Sequence, residues 1–330
     1  MCLKQLFYRT SIEILPGGVE QWAPQATDNF PFVLVDGHLG IPQKLLYKLY
    51  MAAVASYKNV DQITALTLSS VILLVNPAHQ TVLNARKKLI YSRTGLLQPE
   101  EELKLIALLI GGSKECAKQS IIWDHRRWIF KHHYERIGDA VVGPGSECTG
   151  WATSEEASFF PMIPLDTLGK ECELIRKACE MYPRNYHAWT HYHWALGLVN
   201  AVVTRDWGVA SANLVEDHVR FLRQEVMQLR QWIDRHVSDY SAVHLLCNVA
   251  VLDHTGAPQL AQCGRGTLVD ELREHVLGLV LSYPSHETLW LYLRNVLTFS
   301  SSDVTREVVN SLRSREEMSA AVEKYIANLL

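Results

Sequence analysis

Histidine is the residue type with the plainest chemical potential in this chain. His187 and His191 stand four apart in the stretch Tyr182-Pro183-Arg184-Asn185-Tyr186-His187-Ala188-Trp189-Thr190-His191-Tyr192-His193-Trp194. On a helix that spacing puts both rings on one face, as in His-Glu-x-x-His zinc helices. Here Ala188 occupies the glutamate position, and no Cys, Asp or Glu third ligand is evident nearby. Helix-face histidines without metal are therefore the expectation, and the same holds for His125 with His132 and His133. No metal ligand is assigned. The chain has no Gly-rich phosphate loop, no Ser-His-Asp order and no nucleic-acid module. Arg86-Lys87-Lys88 is a short basic cluster of the kind that usually ends a solvated helix.

The elements that must position these groups recur. Pro183 cannot continue a helix arriving from Leu174 and Ile175, but its fixed φ suits a corner. Asn185 is placed to cap the helix that follows. Tyr186, Ala188, Trp189, Ala195 and Leu196 then recur at the three- and four-residue spacings of one buried face. The same frame, a bulky apolar residue six positions after the corner, runs from Pro77 to Leu83, Ala117 to Trp123, Pro183 to Trp189, Val237 to Val243 and Pro284 to Trp290. The starts are separated by 40, 66, 54 and 47 residues. A helix–turn–helix repeat takes roughly 34 to 47 residues, so the longer intervals imply loop insertions. The tryptophans read as core anchors rather than as chemistry.

Around the corners, Ile41-Pro42 opens a helix through Leu45, Leu49 and Ala53, and Asp61 is an N-cap for Gln62 to Val75. Pro99-Glu100-Glu101-Glu102 starts another, with carboxylates near the positive end of the dipole. Val215, His218, Leu222, Val226, Leu229 and Ile233 mark a long amphipathic helix, and two closing helices follow residue 303. Residues 1–40 read as an N-terminal extended arm in which only Phe32–Val35 offers a strand. Residues 41–330 read as one helical-repeat solenoid with a loop insertion at about 138–164. The expected fold class is all-α: an alpha-alpha superhelix, a right-handed crescent of helical hairpins.

Bulk properties narrow the function. The net charge of −3, from 32 basic and 35 acidic residues, offers no strong field for nucleic acid or an anionic membrane. No run approaches the roughly 20 apolar residues that span a bilayer. The seven cysteines form no Cys-x-x-Cys pair. Scattered and odd in number, they point to reduced thiols and a cytoplasmic setting.

The units Pro-Arg-Asn-Tyr-His-Ala-Trp (183–189), Trp-Asp-His-Arg-Arg-Trp (123–128) and Asn-Pro-Ala-His-x-Thr-Val (76–82) resemble the repeat of protein prenyltransferase α subunits, Pro-x-Asn-Tyr-x-x-Trp-x-x-Arg. The likeness covers about residues 60–300. It implies an α subunit of helical hairpins paired with a separate prenyltransferase β subunit. That partner would hold zinc, geranylgeranyl diphosphate and most of the peptide site, so no cofactor is expected on this chain. The insertion after residue 138 resembles the branch of a third type of geranylgeranyltransferase, whose β partner would be the Rab-type geranylgeranyltransferase β subunit. The substrates would be proteins with a C-terminal cysteine.

Carried over by register, the family's diphosphate-side lysine falls on Lys118, and its Tyr-His pair on Tyr186 and His187. These three are the catalytic candidates the resemblance implies. A cation or phenol beside a departing diphosphate stabilises growing negative charge. Two positions after Lys118 the family's tyrosine is Ser120, which reaches less far. The family's arginine after each tryptophan survives as Arg86 and Arg126 but is Tyr192, Leu246 and Leu293 in the other copies. The plainer readings are a solvated Lys118, a Tyr186 that packs the corner, and structural arginines bonded to carbonyls near a helix end. Two functions follow from different classes: the non-zinc subunit of a geranylgeranyltransferase, inactive alone, or a non-catalytic helical-repeat adaptor that binds a protein in its concave face.

Overall fold

The corner-to-anchor spacing has a direct physical cause in the computed structural model, which describes residues 11–25, 28–92, 94–134, 161–204, 212–255 and 265–329. Trp123 Nε1 donates to the Ala117 carbonyl at 2.8 Å, and Trp290 Nε1 donates to the Pro284 carbonyl at 2.7 Å. A corner breaks the helical ladder and strands a carbonyl, and the indole six residues on satisfies it while its rings fill the core. Both tryptophans are buried.

The helices are α1 (Gln43–Ser56), α2 (Gln62–Val75), α3 (Gln80–Tyr91), α4 (Pro99–Gly112), the one-turn α5 (Lys114–Ala117), α6 (Ser120–His133), α7 (Leu165–Met181) and α8 (Tyr186–Thr204). There follow α9 (Ala212–Arg235), α10 (Tyr240–Thr255), α11 (Arg265–Ser282), α12 (Glu287–Leu297), α13 (Ser302–Arg313) and α14 (Glu316–Tyr325). This is the all-α helical-repeat class that the pattern implied. Contacts divide the chain into two units, and the division falls within α8, after Tyr192.

Caps set the helix starts, as their sequence chemistry requires. Asp61 Oδ1 accepts from the amides of Ile63 and Thr64, both at 3.0 Å. Asn185 Oδ1 accepts from Ala188 N at 3.2 Å, and Asp239 Oδ1 accepts from Ser241 N at 3.0 Å. Arg184, at the corner before Asn185, has φ 62°, a left-handed conformation that costs a residue with a side chain roughly 1 kcal/mol.

In the first unit, residues 11–42 carry a sheet that the sequence signalled at one strand only. β1 (Ser11–Leu15) pairs in parallel with β3 (His38–Pro42), and β2 (Val33–Val35) pairs antiparallel with β3. Ile12, Leu39, Ile41 and Leu46 form a buried cluster, with Phe32, Leu74, Val75 and Leu108 against it. Gly111-Gly112 does more than stop α4. A Cβ on Gly112 would lie 2.0 Å from the Ile12 carbonyl oxygen, so the missing side chain is what admits β1.

The second unit carries the two later frames. Here Trp232 Nε1 donates to Asp239 Oδ2 at 3.0 Å, binding the end of α9 to the start of α10. The Glu216–Arg220 pair expected on α9 forms at 3.1 Å between exposed groups. Of the insertion expected at 138–164, residues 138–160 lie outside the described residues. Of the rest, Pro161 and Ile163 are buried, and Pro164 precedes the first turn of α7.

Candidate functional site

Lys118 and the Tyr186-His187 pair sit at two corners that one side chain ties together. Ser113 opens α5 by accepting from Cys116 N at 3.4 Å, and Lys118 ends it. The Ala117 carbonyl, already bonded to Trp123, also accepts from Asn185 Nδ2 at 2.8 Å. Asn185 is buried and caps α8 with its other atom. Lys118 and Tyr186 therefore each adjoin one member of a hydrogen-bonded pair, 68 residues apart in sequence.

Around that tie the side chains reach outward. Lys118 Nζ lies 2.5 Å from Glu115 Oε2, and its side chain is 35% exposed. The bond to Glu115 raises the lysine's pKa, so the ammonium form is favoured. Lys118 Nζ is also 6.0 Å from the Tyr182 ring centroid, and Lys114 Nζ is 5.6 Å from the same ring. Tyr186 is 72% exposed, and its ring meets the His187 imidazole edge-on at 5.5 Å. Ser120, at the first position of α6, is exposed. The arrangement offers donors and positive charge to an anion and holds no evident nucleophile.

His191 is not part of that surface. Its Nε2 lies 2.7 Å from Glu171 Oε1, and both groups are buried. Arg126 binds the same carboxylate, with Nε 2.7 Å from Oε1 and a second contact from Nη2 to Oε2. Its Nη1 donates to the Leu103 carbonyl at 2.7 Å. One repeat earlier the pattern is the same. Arg86 Nε is 2.9 Å from both Glu102 oxygens, its Nη1 donates to the Leu66 carbonyl at 3.2 Å, and His125 Nε2 is 2.8 Å from Glu102 Oε1. Each arginine thus joins the first helix of its own hairpin to the first helix of the next. The carbonyl contacts expected of the arginines are present; the carboxylates were missed. In the sequence Glu102 reads as a first-turn acid, yet it falls on the apolar stripe with Leu105, Ile106 and Leu109. Among the described residues, no group of three or more His, Cys, Asp or Glu is arranged to hold a metal.

These triads make stability acid-sensitive. Burial pushes the Glu102 and Glu171 carboxyls up, but Arg86 and Arg126, with the bonded histidines, outweigh it and hold each at about 2. Burial lowers the pKa of His125 and His191 more than their carboxylate bonds raise it. A lowered carboxyl contributes stability that is present above its unfolded pKa, near 4.5, and is lost as pH falls through about 2. A lowered histidine adds a penalty as pH falls below its unfolded value near 6.5, because the unfolded chain then binds the extra proton. Urea midpoints should therefore hold near pH 7, decline below about 6.5, and drop steeply below 4.5. The two carboxylates together withdraw on the order of 5 kcal/mol by pH 2. A midpoint unchanged between pH 7 and 4 would contradict the paired state.

Residues 168–199 match the family model described as the protein prenyltransferase alpha subunit repeat. That span contains Glu171, the Pro183 corner and Trp189. The chain is 28% identical over 305 residues to the Danio rerio protein named protein prenyltransferase alpha subunit repeat-containing protein 1, a match covering 83% of this chain and 65% of that one. The Homo sapiens protein of the same name is 27% identical over 313 residues, covering 83% and 70%. Geranylgeranyl transferase type-2 subunit alpha of Saccharomyces cerevisiae is 23% identical over 190 residues, covering 57% and 45%. The chain thus spans just under two thirds of the length of the first of these relatives. The resemblance seen in the corner motifs holds, and it extends to a prenyltransferase α-subunit-like helical-repeat fold.

Proposed function

We propose that this α-subunit-like chain is the non-zinc partner in a heterodimeric protein geranylgeranyltransferase. It would pair with a zinc-bearing β subunit of the Rab geranylgeranyltransferase type, in the cytoplasm, and have no activity alone. The pair would transfer a geranylgeranyl group from its diphosphate to a C-terminal cysteine of a protein. The observation that carries this reading is the Ala117–Asn185 bond, which fixes the Lys118 corner against the Tyr186 corner. The likeness to a subunit named for geranylgeranyl transfer supports the lipid class.

Zinc on the partner would supply an acceptor cysteine in its thiolate form. As the sulfur bonds to C1 of the isoprenoid, the C1–oxygen bond breaks and the electron pair leaves with the diphosphate. The Lys118 ammonium and the Tyr186 hydroxyl would donate to its oxygens, with His187 steadying the Tyr186 ring through their edge contact. Such donors matter most where charge grows fastest.

The test is reconstitution. The chain co-expressed with a Rab-type β subunit should co-purify with it and move lipid to a cysteine-terminal acceptor, while neither subunit does so alone. Lys118→Ala and Tyr186→Ala should each lower kcat at least about tenfold without loss of assembly. Recovery of no β subunit would remove the reading, and unchanged kcat would remove these two residues from it.

The adaptor reading draws on two observations. Glu115 partly neutralises Lys118, and Ser120 stands where the repeat has a tyrosine. It predicts a stable partner complex whose transfer rate equals that of the β subunit alone.

A further inference from the structure

Lys114 and Lys118 stand one turn apart, and both ammonium groups lean on one aromatic ring. Their Nζ atoms lie 5.6 and 6.0 Å from the Tyr182 centroid. An i, i+4 lysine pair is mutually repulsive, so attraction to one aromatic ring is a reason for both to converge there. Tyr182 is well held for that task. It is partly buried, and its amide closes the last turn of α7 on the Ala178 carbonyl at 3.1 Å. Glu115 takes Lys118, at 2.5 Å. Among the described residues Lys114 has no carboxylate partner, and it is exposed. Two lysines and one glutamate leave the patch one positive charge in excess, with up to six N–H donors and few acceptors.

We infer that Lys114 is a second cation for a diphosphate group at the Lys118 corner, and that Tyr182 is the residue that positions both ammonium groups. A diphosphate has anionic oxygens on two adjacent phosphorus atoms, so two separate point charges suit it better than they suit a single carboxylate. Lys114 also supplies a long-reaching donor at a corner where Ser120 is short. The choice of diphosphate rests on the transferase reading above; the two-lysine seat rests on the geometry alone.

The experiment measures binding of inorganic pyrophosphate and of geranylgeranyl diphosphate to the full chain by calorimetry, at two salt concentrations. Wild type should bind both, more weakly at high salt. Lys114→Ala should weaken both about fivefold, the upper range for one exposed charge, and Lys114→Arg should restore them. Tyr182→Phe, which keeps the ring, should bind as wild type, whereas Tyr182→Leu should resemble Lys114→Ala. Tighter binding of the lipid form would mark the donor as the natural ligand. Equal binding would mark the released product, and either supports the seat. Wild type that binds neither probe overturns the proposal, as does a Lys114→Ala variant that binds both like wild type. Failure here is separable from failure of the transferase reading. A β subunit could still pair and transfer lipid without this seat, and the seat could bind pyrophosphate in a chain that pairs with no β subunit.

Discussion

Glu171→Ala is expected to destabilise the chain by about 3–5 kcal/mol, a large part of a typical domain's stability. The carboxylate is buried among Leu168, Cys172 and Ile175 and is bound by both Arg126 and His191. Its removal leaves the buried Arg126 guanidinium with the Leu103 carbonyl and no counter-charge. The Coulomb attraction is lost while the desolvation cost remains, which is why a half-broken buried pair is worse than none. The double change Arg126→Met with Glu171→Met should therefore recover most of the loss. Urea unfolding of the single and double variants measures both. A single variant within 1 kcal/mol of wild type would show that the pair is not what holds the two hairpins in register.

Trp123→Ala should cost a similar amount, about 3–5 kcal/mol, for a different reason. The indole is fully buried, its centroid lies 5.0 Å from that of His191, and its N–H satisfies the corner carbonyl of Ala117. Truncation loses the transferred area and opens a cavity that a corner fixed by Asn185 closes poorly. Trp123→Phe keeps most of the volume and loses the N–H donor. Ala117 still accepts from Asn185, so about 1–2 kcal/mol is expected. Calorimetric unfolding separates the two. Equal losses in Ala and Phe would place the energy in the hydrogen bond rather than in packing.

Much of the helical array was legible because its signals are local. Asp61, Asn185 and Asp239 cap where their side chains allow, and Trp123 and Trp290 fall at the register that the corner carbonyls demand. The sheet was not legible because its pairing is distant. Ser11–Leu15 meets His38–Pro42 across a 3-10 helix and β2, and the short alternations Ser-Ile-Glu-Ile and His-Leu-Gly-Ile are crowded by the prolines and glycines around them. Glu102 and Glu171 were hidden by habit: a carboxylate in a helix reads as a surface group. Their positions on the Leu105-Ile106-Leu109 and Leu168-Cys172-Ile175 stripes were the available signal. Lys118, Tyr186 and His187 came from likeness to a repeat, since nothing in their own spacing marks them. The structure brings their two corners together through Asn185, a residue read only as a cap.

Ion-paired arginines link neighbouring hairpins. Arg86 and Arg126 each reach into the following hairpin, and at the next equivalent position Tyr192 accepts from Arg176 of its own hairpin at 2.7 Å. In a linear array the neighbour coupling sets how many repeats melt as one block. The first three hairpins are cross-braced by ions in the dry interior, and in the second unit Asp234 meets His275 at 2.8 Å. Amide protons of the three ion-braced hairpins should thus exchange together, as one block.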